Sequence, residues 1–160
     1  MTYKHLMIDV ETIGSTPDSI ILSYGFVPFN SDTDIGPKIL HKIDLKDAMK
    51  YGVITSDTLQ WWTQQPYEQF SDLVNSGKAT TEYALVSLQG ICDYLMVDNF
   101  KVWANGPDFD LEMIENKLHK LNLPMIWLPW NQRCVRTIKA IDPQLAKTFI
   151  NPEKHNPVED

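Results

Sequence analysis

Residues 5–15, HLMIDVETIGS, join two things that rarely go together. Leu6, Met7 and Ile8 form an apolar run of the kind a buried strand is made from. The run leads directly into Asp9 and Glu11, with only Val10 between them. Buried strands avoid charge, because an unpaired ionised carboxylate is very costly in a low-dielectric interior. Side chains at i and i+2 of a strand share a face. Asp9 and Glu11 therefore stand side by side, roughly 7 Å apart along a strand that rises about 3.3 Å per residue. Anions that close repel unless a cation lies between them, and a hard cation such as Mg²⁺ prefers carboxylate oxygen. The pair also falls at the end of the first strand, where open α/β sheets place their sites. Gly14 then allows the backbone to turn away or approach a ligand closely. Taken alone, the pair is equally consistent with a strand end frayed into water.

Outward from this stretch the chain alternates between two periods. After the strand at 5–10, SIILSYGFVPF (19–29) reads as a longer second strand. PKILHKIDL (37–45) alternates like a third, with Ile39, His41 and Ile43 on one face and Leu40 and Lys42 on the other. Short connections between these three predict antiparallel pairing. Residues 55–95 then carry helix signals. Thr55 or Ser56 caps a first helix, Pro66 interrupts it, and Asn75-Ser76-Gly77 ends a second. Thr80 or Thr81 caps a third, whose apolar stripe is Leu85, Leu88, Ile91, Cys92 and Leu95. FKVWAN (100–105) reads as a fourth strand, and 107–121 as a helix with Leu111, Ile114, Leu118 and Leu121 on one face. A short fifth strand (131–135) and a short helix (136–141) follow. The pattern is α/β with a mixed sheet.

The 160 residues favour one domain spanning 1–160. No apolar run reaches the roughly 18 residues of a membrane span, and the first residues lack the features of a signal peptide. Two cysteines, Cys92 and Cys134, cannot build a disulfide scaffold, so a reducing, cytoplasmic setting is expected. The net charge of −7 argues against a broad nucleic-acid-binding surface, unless several of the acids hold divalent cations.

Two further segments carry candidate ligands. In WANGPDFDLEMI (103–114), Asn105, Gly106 and Pro107 turn into the helix, and Asp110 lies in its first turn. Acids there are favoured by the helix dipole alone, by roughly 0.3–1 kcal/mol. In HNPVED (155–160), Asn156 reads as an N-cap, Pro157 as the first helical position and Glu159 as the capping-box residue. His155 and Asp160 then flank a helix start and can face one cleft. A four-residue helix does not stand alone, so the expectation is a domain lacking its C-terminal helix.

Asp-x-Glu on the first strand, Asn-x-x-x-Phe-Asp opening a later helix, and His-x4-Asp near the end together resemble the DnaQ-like, DEDDh exonuclease superfamily. The matching residues are Asp9, Glu11, Asp110, His155 and Asp160. SDTLQWWTQQP (56–66), with Thr58, Trp61, Trp62 and Gln65, resembles the phage DexA-like and exoribonuclease-like branch, as do RCVRTI (133–138) and VWANGPDFD (102–110). The resemblance implies a ribonuclease H-like fold: a five-stranded mixed sheet, its first three strands antiparallel, with helices on both faces. It implies a 3′→5′ exonuclease that releases nucleoside 5′-monophosphates using two divalent cations, Mg²⁺ or Mn²⁺. In that scheme Asp9 bridges the ions, Glu11 and Asp160 hold one, Asp110 holds the other, and His155 takes a proton from the attacking water. Two metals about 3.5–4 Å apart serve both the attacking and the leaving oxygen.

The implied partner is a single-stranded nucleic-acid 3′ end. Bases of such strands commonly stack on aromatic rings. Trp61 and Trp62 are adjacent on a helix, about 100° apart around its axis, so one is expected in the core and the other at the cleft. Gln65 and Asn105 are further contact candidates. Thr12 and Ile13 lie where the family presents backbone and an apolar wedge to the terminal nucleotide. Trp127 and Trp130 suit an exposed homodimer interface. The reading from another class is a catalytically inactive nucleic-acid-binding module of the same fold.

Overall fold

The computed structural model describes residues 2–146 and 156–158. Its centre is a five-stranded sheet in the order β3-β2-β1-β4-β5. The strands are β1 (Tyr3–Thr12), β2 (Ile21–Phe29), β3 (Ile39–Lys42), β4 (Met96–Ala104) and β5 (Gln132–Cys134). β1, β2 and β3 pair antiparallel through short connections, as expected. β4 and β5 pair parallel, and each is reached through a helical crossover, as parallel pairing requires. The helices are α1 (Leu45–Ala48), α2 (Ser56–Trp62), α3 (Tyr67–Asn75), α4 (Thr81–Leu95), α5 (Asp110–Lys120), α6 (Val135–Ile141) and α7 (Pro143–Ala146).

The two faces of β1 differ in chemistry. Leu6, Ile8 and Val10 are buried on one face, opposite Pro28, Phe26 and Tyr24 of β2. α4 lies over this face. His41, opposite Tyr24 on β3, shares a 2.9 Å hydrogen bond with Ser87 of α4 and meets Tyr83 edge-on. The stripe Leu85, Leu88, Ile91 and Cys92 is buried there, as its spacing predicts. The other face carries Asp9 and Glu11, opposite Gly25 and Ser23.

Three details depart from the expected elements. β4 begins at Met96, not near 100, because α4 runs into it without a turn residue. The irregularity sits inside the strand: the β1–β4 register shifts between Tyr3 and His5, and Asn99 takes a left-handed φ of 57°. α1 was not anticipated. Asp44 caps it by accepting from the Asp47 N–H. Buried Asp47 in turn accepts from the Thr81 N–H at 2.7 Å and from Lys50 Nζ at 2.9 Å. Asp47 is thus a structural acid, fully engaged in starting α4. Trp127, expected on an exposed interface, is buried, its Nε1 donating to Glu115 Oε1 at 2.7 Å. Trp130 is 70% exposed. Among the described residues, no helix is long and apolar enough to cross a membrane.

Candidate active site

The site follows from a difference in strand length. β4 ends at Ala104, and its pairing with β1 ends at Met7–Trp103. β1 continues to Thr12, so the Val10 N–H lies beyond the last β4 partner. It donates instead to Asp110 Oδ1 at 3.4 Å. Asp110 reaches it because Gly106 turns the chain: the N–H groups of Phe109 and Asp110 donate to Gly106 O at 2.9 and 3.2 Å. Burial of Leu111, Ile114 and Leu118 then docks α5. Val10 is the residue between Asp9 and Glu11, so Asp110 closes on the strand at the acidic pair.

Asp110 is only 4% exposed. Burial pushes its carboxyl up to about 6, against the pull of the Val10, Gly106 and Asp110 backbone amides and the more distant Arg136. No cationic side chain pairs with it among the described residues. A buried carboxylate without a paired cation offers oxygen donors of the kind a hard divalent cation takes. Within the described residues alone, no three acidic, histidine or cysteine groups form a metal-holding cluster. His155 and Asp160, the remaining expected members, lie outside the described residues.

The segment between them is partly described. The Val158 N–H donates to Asn156 Oδ1 at 3.4 Å, the bond expected of an N-cap. Pro157 lies directly over Gly25: a β-carbon on Gly25 would come within 2.2 Å of Pro157 O and 2.4 Å of its carbonyl carbon. Gly25 is the cross-strand partner of Asp9, so that β-carbon would stand on the face of Asp9. Pro157 is therefore seated over the acidic face. Gly25 was overlooked in the sequence. A glycine inside a strand often marks close approach by another backbone, and that signal was available.

The end of β1 is held by α2. The β1–β2 register skips at Glu11/Thr12: Glu11 faces Ser23 but Thr12 faces Ile21. The bulge takes the Thr12 carbonyl out of the ladder, and Trp62 Nε1 donates to it at 2.8 Å. Trp62 is fully buried, stacked on Phe70 at 5.7 Å. Its ring is unavailable to a base, so its expected contact with substrate is replaced by this hold on Thr12. Trp61 meets Trp62 edge-on and is 42% exposed. Ile13 is buried, and its carbonyl accepts from Thr55 N–H at 3.1 Å. Gln65 Nε2 donates back to Trp61 O at 3.4 Å, a local bond at the helix end. Asn105 is exposed at the end of β4, its carbonyl accepting from the Arg136 N–H. Trp62→Phe removes the indole N–H together with one ring of a fully buried side chain. It is expected to lower stability by about 2–4 kcal/mol, since a buried carbonyl is left without its donor and a cavity opens beside Phe70. Thermal melts of the two proteins check this.

A mixed five-stranded sheet in this order is a ribonuclease H-like fold. Escherichia coli exonuclease I in complex with a dT13 oligonucleotide superimposes on 98% of this chain at a TM-score of 0.64, with 12% identity. The zinc-bound form of its complex with single-stranded DNA covers 100% of this chain at 0.65, also with 12% identity. This chain spans about a third of exonuclease I, 33% and 34% in the two structures. The exodeoxyribonuclease of Enterobacteria phage T4 is 24% identical over 163 residues, covering 82% of this chain and 68% of the phage protein. Residues 4–160 match the 3′-5′ exoribonuclease Rv2179c-like domain, and the chain belongs to that family.

Proposed function

We propose that this domain hydrolyses phosphodiester bonds from the 3′ end of single-stranded nucleic acid, releasing nucleoside 5′-monophosphates. The observation that carries the reading is Asp110: a buried carboxylate bonded to the backbone between Asp9 and Glu11. Asp9, Glu11, Asp110 and Asp160 would hold two divalent cations, Mg²⁺ or Mn²⁺. When bound, these supply charge stabilisation at the phosphate and a more acidic water. Four carboxylates balanced in this way would remove most of the −7 charge as an obstacle to an anionic substrate.

His155 serves as the base that takes the proton of the attacking water. Imidazole is the side chain best suited to exchange a proton near neutral pH. Pro157 over Gly25 supports this role, because it seats the chain two residues from His155 on the Asp9 face. The main chain of Thr12 and Ile13, set by the bulge, faces the terminal nucleotide. Trp61, exposed beside them, stacks on a base, with Asn105 and Gln65 at the edge of the cleft. The family match favours RNA over DNA as the preferred strand.

The test is digestion of matched 5′-labelled RNA and DNA single strands with Mn²⁺ or Mg²⁺, with EDTA as control. The expected result is a 3′-shortening ladder that EDTA abolishes, forming faster on RNA. Intact strands that nevertheless stay bound would overturn catalysis in favour of a binding module.

A further inference from the structure

The motif RCVRTI, residues 133–138, spans the passage from β5 into α6. Nothing in the catalytic scheme above uses it. Its Arg136 is tied to the site at both ends. The backbone N–H donates to Asn105 O at 3.1 Å, fastening the start of α6 to the turn that launches Asp110. The side chain folds back over the same turn. A β-carbon on Gly106 would come within 2.7 Å of Arg136 Nη2 and 3.2 Å of its Cζ. Glycine at 106 thus leaves the space that the guanidinium fills.

Arg136 is exposed, and it forms no ion pair among the described residues. Asp108 is the nearest acid on this turn: its Oδ1 lies 2.9 Å from the same β-carbon position on Gly106. No ion pair between the two is present, so the guanidinium keeps its donors. A planar fork of N–H donors matches the oxygens of a phosphate, and arginine is suited to that geometry in a way lysine is not. The otherwise acidic site has no other described arginine at this turn.

We propose that Arg136 is a phosphate-binding residue of the site, its guanidinium engaging a phosphodiester oxygen of the nucleic-acid 3′ end beside Asp110. The proposal rests on the exonuclease reading. The contact anchors an anion against a wall of carboxylates, and the missing side chain at Gly106 makes room for it.

Three variants test this: Arg136→Gln, Arg136→Lys and Gly106→Ala. Binding of a short 5′-fluorescein single strand in Ca²⁺ is followed by fluorescence anisotropy across a salt series. Arg136→Gln is expected to weaken binding about tenfold and to flatten the plot of log affinity against log salt by about 0.7, one phosphate contact on a single strand. Arg136→Lys keeps the slope and loses part of the affinity. Gly106→Ala weakens binding similarly, and combining it with Arg136→Gln adds little further loss. Melting temperatures of the Arg136 variants stay close to wild type, as for other exposed positions. If wild type digests the strand but Arg136→Gln binds within twofold and with an unchanged slope, the arginine is a surface residue and the proposal fails alone. If wild type neither binds nor digests, the exonuclease reading fails and takes the proposal with it.

Discussion

Asp110→Asn is expected to abolish turnover while raising the melting temperature of the metal-free protein. The first half follows from the role proposed for the carboxylate. A cation held at a phosphate contributes several kcal/mol to the transition state, so its loss amounts to ~10³-fold or more in rate. The second half follows from burial. Asp110 is held at about 6 in the fold against an ordinary 3.8. Each unit corresponds to 1.36 kcal/mol, so charging this group at pH 7 costs the fold at most about 3 kcal/mol. An amide of the same shape accepts the Val10 N–H without that charge. At about 2–4 °C per kcal/mol for a chain of this size, the gain is several degrees.

The pH dependence has a definite sign. The folded state keeps its proton at Asp110 between about 4 and 6, where the unfolded chain has released it. This contribution to stability is full below about pH 4 and is lost as pH rises through about 6. Melting curves of metal-free wild type between pH 4 and 8 should show that step, and Asp110→Asn should lack it. Mn²⁺ should reverse the order at neutral pH by stabilising wild type and not the variant, since it binds only the folded site. A large loss of stability in Asp110→Asn would instead make this a structural acid, like Asp47, whose carboxylate is committed to the Thr81 N–H and Lys50.

Gly25→Ala is the second change with a large expected effect. Its new methyl would lie 2.2 Å from Pro157 O and 2.6 Å from Pro157 Cβ. Two of the nearest atoms are backbone, which cannot swing aside as a side chain does. The Pro157 segment must therefore lift from the Asp9 face. Displacing a catalytic group by about 1 Å can cost about 10²-fold, and a loss of at least that size is expected in kcat. The sheet should survive, since overpacking typically costs about 1–3 kcal/mol. Circular dichroism and single-turnover digestion with saturating Mn²⁺ separate the two effects. Full activity in a folded Gly25→Ala protein would mean that the Pro157 contact has no part in the chemistry.

What could be read from the chain alone divides along physical lines. β1, β2 and the helix at Asp110 are local patterns: apolar alternation, a turn and an amphipathic face. The structure reproduces them within a few residues. β4 was misjudged at its start because α4 passes into it without a breaker, the irregular Asn99 lying inside the strand. Asp9 and Glu11 stand out because charge beside an apolar run is costly, and Asp110 through its place in the family pattern. The contacts that organise them do not. Trp62 on Thr12, Arg136 over Gly106 and Pro157 over Gly25 join residues 50, 30 and 132 positions apart. Each involves a backbone atom or a missing side chain, and neither has a periodic signature. Asp47 shows the converse: an acid that composition could not tell from a ligand, and that only its partners identify as structural.

The direct measurement is anomalous diffraction from crystals of this protein grown or soaked with Mn²⁺ at neutral pH. The account predicts anomalous peaks held by the carboxylates of Asp9, Glu11, Asp110 and Asp160, and none there in Asp110→Asn. Manganese bound elsewhere, or a wild-type map with no ion among those four side chains, would contradict it.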